Sequence, residues 1–229
     1  MKKTEFSCNV KDCFLCSSCL PGWLGIIAQN KTNKYFSRGE TIFSEGEAVK
    51  GIYFVYKGVV KVHKQWGKEK QLIIRFAASG DLLGHRGIGD SLEYPVSATV
   101  IQPVITCFIK TDFLNATIGI DHAFTVKLMT FYAKELQATE QRMHMLTHMD
   151  VKGRIAYNLL ALKDQFGIDN RGYLGLPVNR QTLASFAGTT YESVFRVLNE
   201  LVKTKCIQIK NKDIKILNEQ LLLDFTKAS

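Results

Sequence analysis

The 229-residue chain is predicted to fold as α+β: a glycine-punctuated β domain, then one long helix, then a small winged helical domain. Three observations predict it. Between Lys34 and Lys110 the sequence consists of short runs rich in β-branched and aromatic residues, which suit a pleated, half-buried surface. Residues 121–148 contain neither proline nor glycine and carry a seven-residue apolar repeat, the period of a helix with a partner seam. Beyond residue 150, two short helical patterns flank Gly188 and lead into a strand–turn–strand pattern, the signature of a helix-turn-helix with a wing.

Composition narrows the class. Hydrophobic residues make up 46% and charged residues 22%, which excludes a disordered chain. No apolar run approaches the ~18 residues of a membrane span. The opening Met1-Lys2-Lys3 meets Cys8, Lys11 and Asp12 before any apolar stretch, unlike a secretory leader. A cytoplasmic protein without a membrane partner is expected. Thirty Lys/Arg against 21 Asp/Glu give a net charge of +9, which suits an anionic partner, nucleic acid first.

Four of the six cysteines, Cys8, Cys13, Cys16 and Cys19, stand in a C-x4-C-x2-C-x2-C run. In a reducing compartment such a run reads as a metal or redox site, and soft thiolates suit zinc or an iron–sulfur cluster. Cys13, Cys16 and Cys19 share the spacing of the bacterial ferredoxin run but lack its fourth Cys-Pro. A fourth ligand is therefore Cys8 or lies elsewhere. The alternative is a loose tail with incidental thiols.

The strand runs are Thr41–Phe43, Gly51–Tyr56, Val59–His63 and Leu72–Phe76, with glycines at 39, 46, 51, 58, 67 and 80 at hairpin-like spacing. A barrel or sandwich follows, with no residue that looks catalytic, so no enzyme is expected. In the long helix Met129, Leu136 and Met143 form one heptad series and Tyr132, Thr139 and Leu146 a second, three residues later. Together they predict a homodimer seam. After a hinge, Asp150 is predicted to cap a helix Val151–Phe166 stopped by Gly167. Asn179 is predicted to cap Arg180–Ala187, and Thr190 to cap a helix from Tyr191 to about Lys203. On this last helix Val194, Val197, Leu198 and Leu201 form the inward stripe. Tyr191, Glu192, Phe195, Arg196 and Asn199 face outward, with Arg180 and Thr190 at the helix starts. An outward Glu can accept from cytosine and an outward Arg can pair with guanine or phosphate. The domains expected are a Cys-rich segment 1–33, a β domain 34–120, a dimer helix and hinge 121–149, and a winged helix 150–229.

Over nearly its full length the chain resembles the CRP/FNR superfamily of bacterial transcription regulators. The likeness is carried by Lys34–Glu47 as an opening strand pair and by Tyr53-Phe-Val-Tyr-Lys-Gly58-Val-Val-Lys-Val62 as the next hairpin. Gly80-Asp-Leu-Leu-Gly84 carries it as the ligand-loop signature, and Arg180 to Leu198 as the helix-turn-helix. The resemblance implies a cyclic-nucleotide-binding-like β-roll (a jelly roll), a homodimer, a two-fold symmetric double-stranded DNA operator and RNA polymerase as a partner. It also implies an effector pocket near Gly80, Asp81, Leu82, Gly84, His85, Arg86 and Ser97. Cyclic-AMP members carry a glutamate in the glycine loop and an Arg-Ser pair after it. Here Asp81 and Val96 stand in those places, and a buried phosphate without a cation is costly, so cyclic AMP is not expected.

The loop and Pro95 resemble the oxygen-sensing FNR branch, which binds a [4Fe-4S] cluster with three N-terminal cysteines and one from the roll. Cys107 falls where that branch has its internal cysteine. The resemblance thus implies Cys13, Cys16, Cys19 and Cys107 as ligands, with Cys8 as a substitute. The last N-terminal interval is shorter than in that branch. The alternatives are a zinc-stiffened tail, a thiol switch, a small organic effector, haem with His85 as axial ligand, or no effector.

Overall fold

The computed structural model describes residues 13–66, 70–89 and 92–227; Cys8 and Gly67 lie outside the described residues. The chain forms two compact units, 1–135 and 136–229. Among the described residues no helix is long and apolar enough to cross a membrane.

The first unit opens with α1 (Phe14–Ser18), a 3-10 turn (Pro21–Trp23) and α2 (Leu24–Asn30). Six strands follow: β1 (Thr32–Phe36), β2 (Thr41–Phe43), β3 (Gly51–Trp66), β4 (Lys70–Ala77), β5 (Leu82–Leu83) and β6 (Ser97–Lys110). Then come α3 (Thr111–Ile120) and α4 (His122–His148), which continues into the second unit. The sheet order is β1-β6-β3-β4, with β2 on β6 and β5 on β3. All its pairings are antiparallel. The expected hairpin around Gly58 is not formed. Gly58 lies inside one 16-residue strand, β3. Its φ of +100° and a pairing shift on either side mark a bulge. A Cβ there would stand 2.2 Å from the Pro103 carbonyl oxygen, so the residue serves close backbone approach rather than a turn.

The two-residue period of β3 and β6 separates two cores. Tyr53 and Val55 on β3, with Val104 and Phe108 on β6, face the roll interior with Phe43, Leu83 and Tyr94. Ile52 and Phe54, with Cys107 and Ile109, face the other way, against α1, α2, α3 and α4. Phe54 pairs with Cys107 across the ladder.

Helix α4 is pinned to the roll by Glu135. Its Oε2 lies 3.0 Å from Arg86 Nη2, 3.2 Å from Arg75 Nε and 3.5 Å from His85 Nε2. Three residues earlier, the Tyr132 hydroxyl donates to the His85 carbonyl at 2.7 Å. Burial alone would raise the Glu135 carboxyl, but the neighbouring imidazole and the Arg75 and Arg86 guanidiniums hold it at about 2.

The second unit contains the end of α4, then α5 (Val151–Phe166), α6 (Arg180–Ala187), α7 (Tyr191–Lys203), a hairpin of β7 (Ile207–Lys210) and β8 (Asp213–Ile216), and α8 (Glu219–Lys227). The expected caps are in place. Asp150 accepts from Gly153 N, Asn179 from Thr182 N and Thr190 from Ser193 N. Gly188 takes the left-handed conformation at φ 60°, which a turn between two helices requires. On α4, Arg142 donates to the Phe186 carbonyl at 2.6 Å and its guanidinium lies over the Phe186 ring. It thereby occupies the C-terminal end of α6, where cations are favoured.

Replacing Glu135 by Ala leaves two arginines facing a buried site without their counter-charge. A loss of about 3–5 kcal/mol in unfolding free energy is expected at neutral pH, measured by urea titration. In the wild type this contribution is present above the ordinary carboxylate range and lost as pH falls from 4.5 towards about 2. A loss below about 1 kcal/mol would mean that the guanidiniums reach solvent instead.

Candidate functional site

The x2 spacing of Cys13, Cys16 and Cys19 becomes one turn of helix, because Cys13 immediately precedes α1 and Cys19 immediately follows it. Residues three apart lie on one side of such a turn. That side faces β6. Cys13 is 1% and Cys107 2% exposed, and all four thiols lie in the same buried cluster. The segment is held there by apolar contacts. The Phe14 ring packs on Phe54, Phe124 and Phe131. Trp23 stacks on Phe113 and donates to Thr117 Oγ1 at 3.3 Å.

The thiols are chemically unequal. Hydrogen bonds with Cys107 and then Cys16 hold Cys13 far below its ordinary value, against the effect of burial. Burial and the neighbouring Asp121 carboxylate push Cys19 up to about 12. Cys107 Sγ also lies 3.4 Å from Asn33 Oδ1. Among the described residues no three His, Cys, Asp or Glu side chains are gathered to hold a metal ion. The ligands of a single ion crowd around one point. An iron–sulfur cubane takes one thiolate at each of four corners, so its ligands stand apart. Four buried soft donors from two chain segments match a cubane in kind and number; Cys13, in hydrogen-bond contact with Cys107 and Cys16, would separate from them to take its own corner. Asp121, which the sequence reading did not single out, adjoins this cluster and is 1% exposed.

The residues expected around an effector divide. Gly84, His85 and Arg86 line a cavity with Phe43, Arg75, Tyr94 and Val96, but its volume is only about 10 Å³, roughly one water. The stacked Phe43 and Tyr94 rings fill it, and Tyr94 donates to Gly51 O at 2.9 Å. Leu82 turns instead into the thiol-side core. Asp81 sits 3.7 Å from Arg75, Ser97 Oγ accepts from Glu45 N, and Gly80 forms a turn at φ 92°. His85 is 2% exposed, and a cavity of this size does not admit a porphyrin.

On α4 the first heptad series is open, with Met129 67%, Leu136 61% and Met143 63% exposed. The second series is not equivalent. Tyr132 packs on the roll of its own chain, Leu146 is half-buried and Thr139 is exposed. Val126 extends the exposed apolar stripe at the helix start.

On α7 the expected sidedness is present. Val194, Val197, Leu198 and Leu201 are buried, while Tyr191, Glu192, Phe195, Arg196 and Asn199 are exposed. Thr190 is engaged as the cap. Arg180 lies over the Phe195 ring at 5.3 Å. The Glu192 carboxyl is lowered by its own backbone N–H and by Thr190, not by Arg196, so neither outward charge neutralises the other. A groove of about 470 Å³ between α6, α7 and the hairpin is lined by Asn179, Arg180, Tyr191, Asn211 and Lys212 among others. The groove floor is largely apolar, with Arg180 and Lys212 in its lining; two cations beside an amphipathic helix whose outward face is polar suit the backbone of a DNA duplex.

An antiparallel roll followed by a long helix and a winged helix-turn-helix defines a class: a DNA-binding transcription regulator. Residues 33–120 match the cyclic nucleotide-binding domain family, and residues 153–225 match the Crp-like helix-turn-helix domain family. The chain belongs to the CRP/FNR superfamily. It is 24% identical over 231 residues to the fumarate and nitrate reduction regulatory protein of Vibrio cholerae, covering 96% of this chain and 91% of that one. It is 26% identical over 189 residues to a CRP-like cAMP-activated global transcriptional regulator of Mycobacterium tuberculosis, covering 82% and 84%. The structure of FixK2 from Bradyrhizobium japonicum is similar at a TM-score of 0.76 and 25% identity, covering 87% of this chain and 98% of that one. The Vibrio cholerae and Mycobacterium tuberculosis relatives are regulators by name, not enzymes.

Arg196→Ala removes an exposed side chain, so stability should change by no more than about 0.5 kcal/mol. Affinity for the cognate DNA should fall by about 1–3 kcal/mol, with discrimination lost at one base pair per half-site. Binding to a panel of single-base variants checks this. Uniform weakening across the panel would make Arg196 a phosphate contact.

Proposed function

We propose that this regulator acts as a homodimer on a two-fold symmetric DNA site and responds to oxygen or redox state through a [4Fe-4S] cluster, as in the FNR branch. Cys13, Cys16, Cys19 and Cys107 would hold the cluster. The reading is carried by one observation: the three cysteines around α1 converge on Cys107 of β6 in a single buried site. When bound, a cluster supplies oxygen-sensitive one-electron chemistry. The chain's own residues do the rest. Phe14, Leu15 and Ile27 exclude water from the thiols. The hydrogen bonds at Cys13 favour its thiolate, the form that ligates. Ligation would link α1 to the roll more firmly than packing alone, and its loss would leave α1 held by apolar contacts and the Cys13–Cys107 hydrogen bond.

DNA is read by Tyr191, Glu192, Phe195, Arg196 and Asn199 in the major groove, with Arg180 and Thr190 at the backbone and half-sites about one helical turn, ~34 Å, apart. The exposed stripe of Met129, Leu136 and Met143 supports pairing with a second copy along α4. RNA polymerase is the further partner proposed, in the cytoplasm. Cyclic AMP is not the signal in this reading, because Phe43 and Tyr94 fill the roll cavity and Glu135 already neutralises Arg86.

Anaerobic iron and sulfide analysis is the deciding experiment. Wild type should bind both in equal amounts with broad absorption that bleaches in air, and Cys107→Ala should lose most of each. Equal iron and sulfide in the two proteins would remove Cys107 from the ligand set. Zinc in place of iron, or neither, would leave the thiols to a structural metal or a thiol switch.

Leu136→Glu places a charge in the α4 stripe and should yield monomers by light scattering, with the unfolding midpoint of each chain unchanged. A dimer that persists would place the interface elsewhere.

A further inference from the structure

We propose that Asp121 is a latch that makes the start of α4 depend on the position of the cysteine segment. Asp121 is the single residue between α3 and α4, and three elements meet on it. Its backbone N–H closes α3 onto Thr117 O at 2.8 Å. Its backbone carbonyl takes Thr125 N at 3.0 Å, the first turn of α4. Its side chain is shared between two separate elements. Oδ1 accepts from Phe124 N at 3.0 Å and so caps α4, while Oδ2 accepts from Leu20 N at 2.8 Å, in the residue directly after Cys19.

The physical consequence follows from burial. A carboxylate that is 1% exposed is costly to bury unless hydrogen-bond donors surround it. When residues 13–20 shift, Oδ2 loses its backbone donor. The carboxylate then turns to regain one, at the expense of the Phe124 bond, or stays under-satisfied. In the first case the first turn of α4 loosens; in the second the buried side chain that caps that turn is itself destabilised. That helix carries Glu135 against the roll and the exposed Met129 and Leu136 stripe. A small displacement of the cysteine loop therefore reaches the stripe through one side chain, without a rearrangement of the sheet. The latch rests on the reading above for the event that moves the loop, but its bonds are those of the metal-free chain and can be tested there.

The backbone supplies a selective probe. Leu20 has φ −61° and ψ 144°, the dihedrals of proline followed by proline. Cys19 before it is extended at φ −87° and ψ 156°, as a residue preceding proline must be. The Leu20 side chain is 54% exposed. Leu20→Pro thus deletes one N–H and little else, keeping all four thiols and the α4 cap, whereas Leu20→Ala keeps the N–H and is the control. Asp121→Asn is the second variant, since its one carbonyl oxygen can serve only one of the two donors at a time.

The first measurement is amide hydrogen exchange on the reduced, metal-free proteins. Phe124 and Thr125 should exchange about five-fold faster in Leu20→Pro than in wild type or Leu20→Ala, the effect of one hydrogen bond. Asp121→Asn should move the same amides in the same direction. The second is the monomer–dimer equilibrium of each protein with and without anaerobic iron–sulfide reconstitution. Wild type and Leu20→Ala should shift between the two states, and Leu20→Pro should bind the same iron yet shift at least five-fold less. Exchange at Phe124 and Thr125 unchanged in both Leu20→Pro and Asp121→Asn overturns the latch, as does an undiminished dimer shift in Leu20→Pro. Absence of iron in reconstituted wild type overturns the cluster reading alone, and the exchange measurement still decides the latch.

Discussion

The pairing of β3 with β6 is the constraint on which the first unit depends. Their long ladder fixes which side chains face each way, and a slip of one residue would exchange the two faces. In the observed register Tyr53 and Phe108 face the roll interior, while Phe54 and Cys107 face the helices. The bulge at Gly58 shifts the alternation along β3 by one residue, so that Val60 and Val62 continue the interior face begun by Tyr53 and Val55. It absorbs a shift of pairing where the chain must bend past Pro103. The outer face then offers a flat apolar floor with one thiol in it. The Phe14 ring and the cysteines of α1 cover that floor from above.

Much of this was legible in the chain, and the limits are instructive. Asp150, Asn179 and Thr190 each precede an apolar period, and each forms its cap bond. Capping is local, so local sequence suffices. The inward and outward sides of α7 follow for the same reason. The failures are non-local. Gly58 carries the same one-letter signal as a turn glycine, and only its approach to Pro103 tells them apart. α3 and α8 are short, and their ends are set by tertiary neighbours. α8, for instance, lies against α5 at Gly153, where a Cβ would come within 2.9 Å of the Phe225 carbonyl oxygen. Tyr132 fits a heptad but is drawn to His85 by its own hydroxyl. The convergence of Cys13, Cys16 and Cys19 on Cys107 was open to sequence reasoning only through family likeness, since spacing says nothing about a partner so far along the chain. Asp121 and Glu135 gave no signal, because an isolated acidic residue is common and its worth lies in what surrounds it.

Electrostatics divides the roll from its relatives' expected use. Arg75 and Arg86 bring two positive charges to the glycine loop, and the chain supplies the balancing anions itself, Glu135 from α4 and Asp81 from the loop. An external anion would have to displace an internal carboxylate held in a half-dry site. Both guanidiniums at the glycine loop are thus already paired with the chain's own carboxylates. The four thiols gather on the opposite face of the same sheet.

Arg142 carries a different lesson, about modularity. Its guanidinium closes the end of α6 and rests on Phe186, and Met145 beside it is buried. The final turns of α4 thus belong structurally to the DNA-reading unit, although the hinge at Met149 and Asp150 looks like the natural seam. A chimera spliced at that hinge would strip α6 of its terminal cation and import a stranger's contact in its place. A junction before Leu136 would carry the helix-turn-helix together with Arg142, the residue that closes α6.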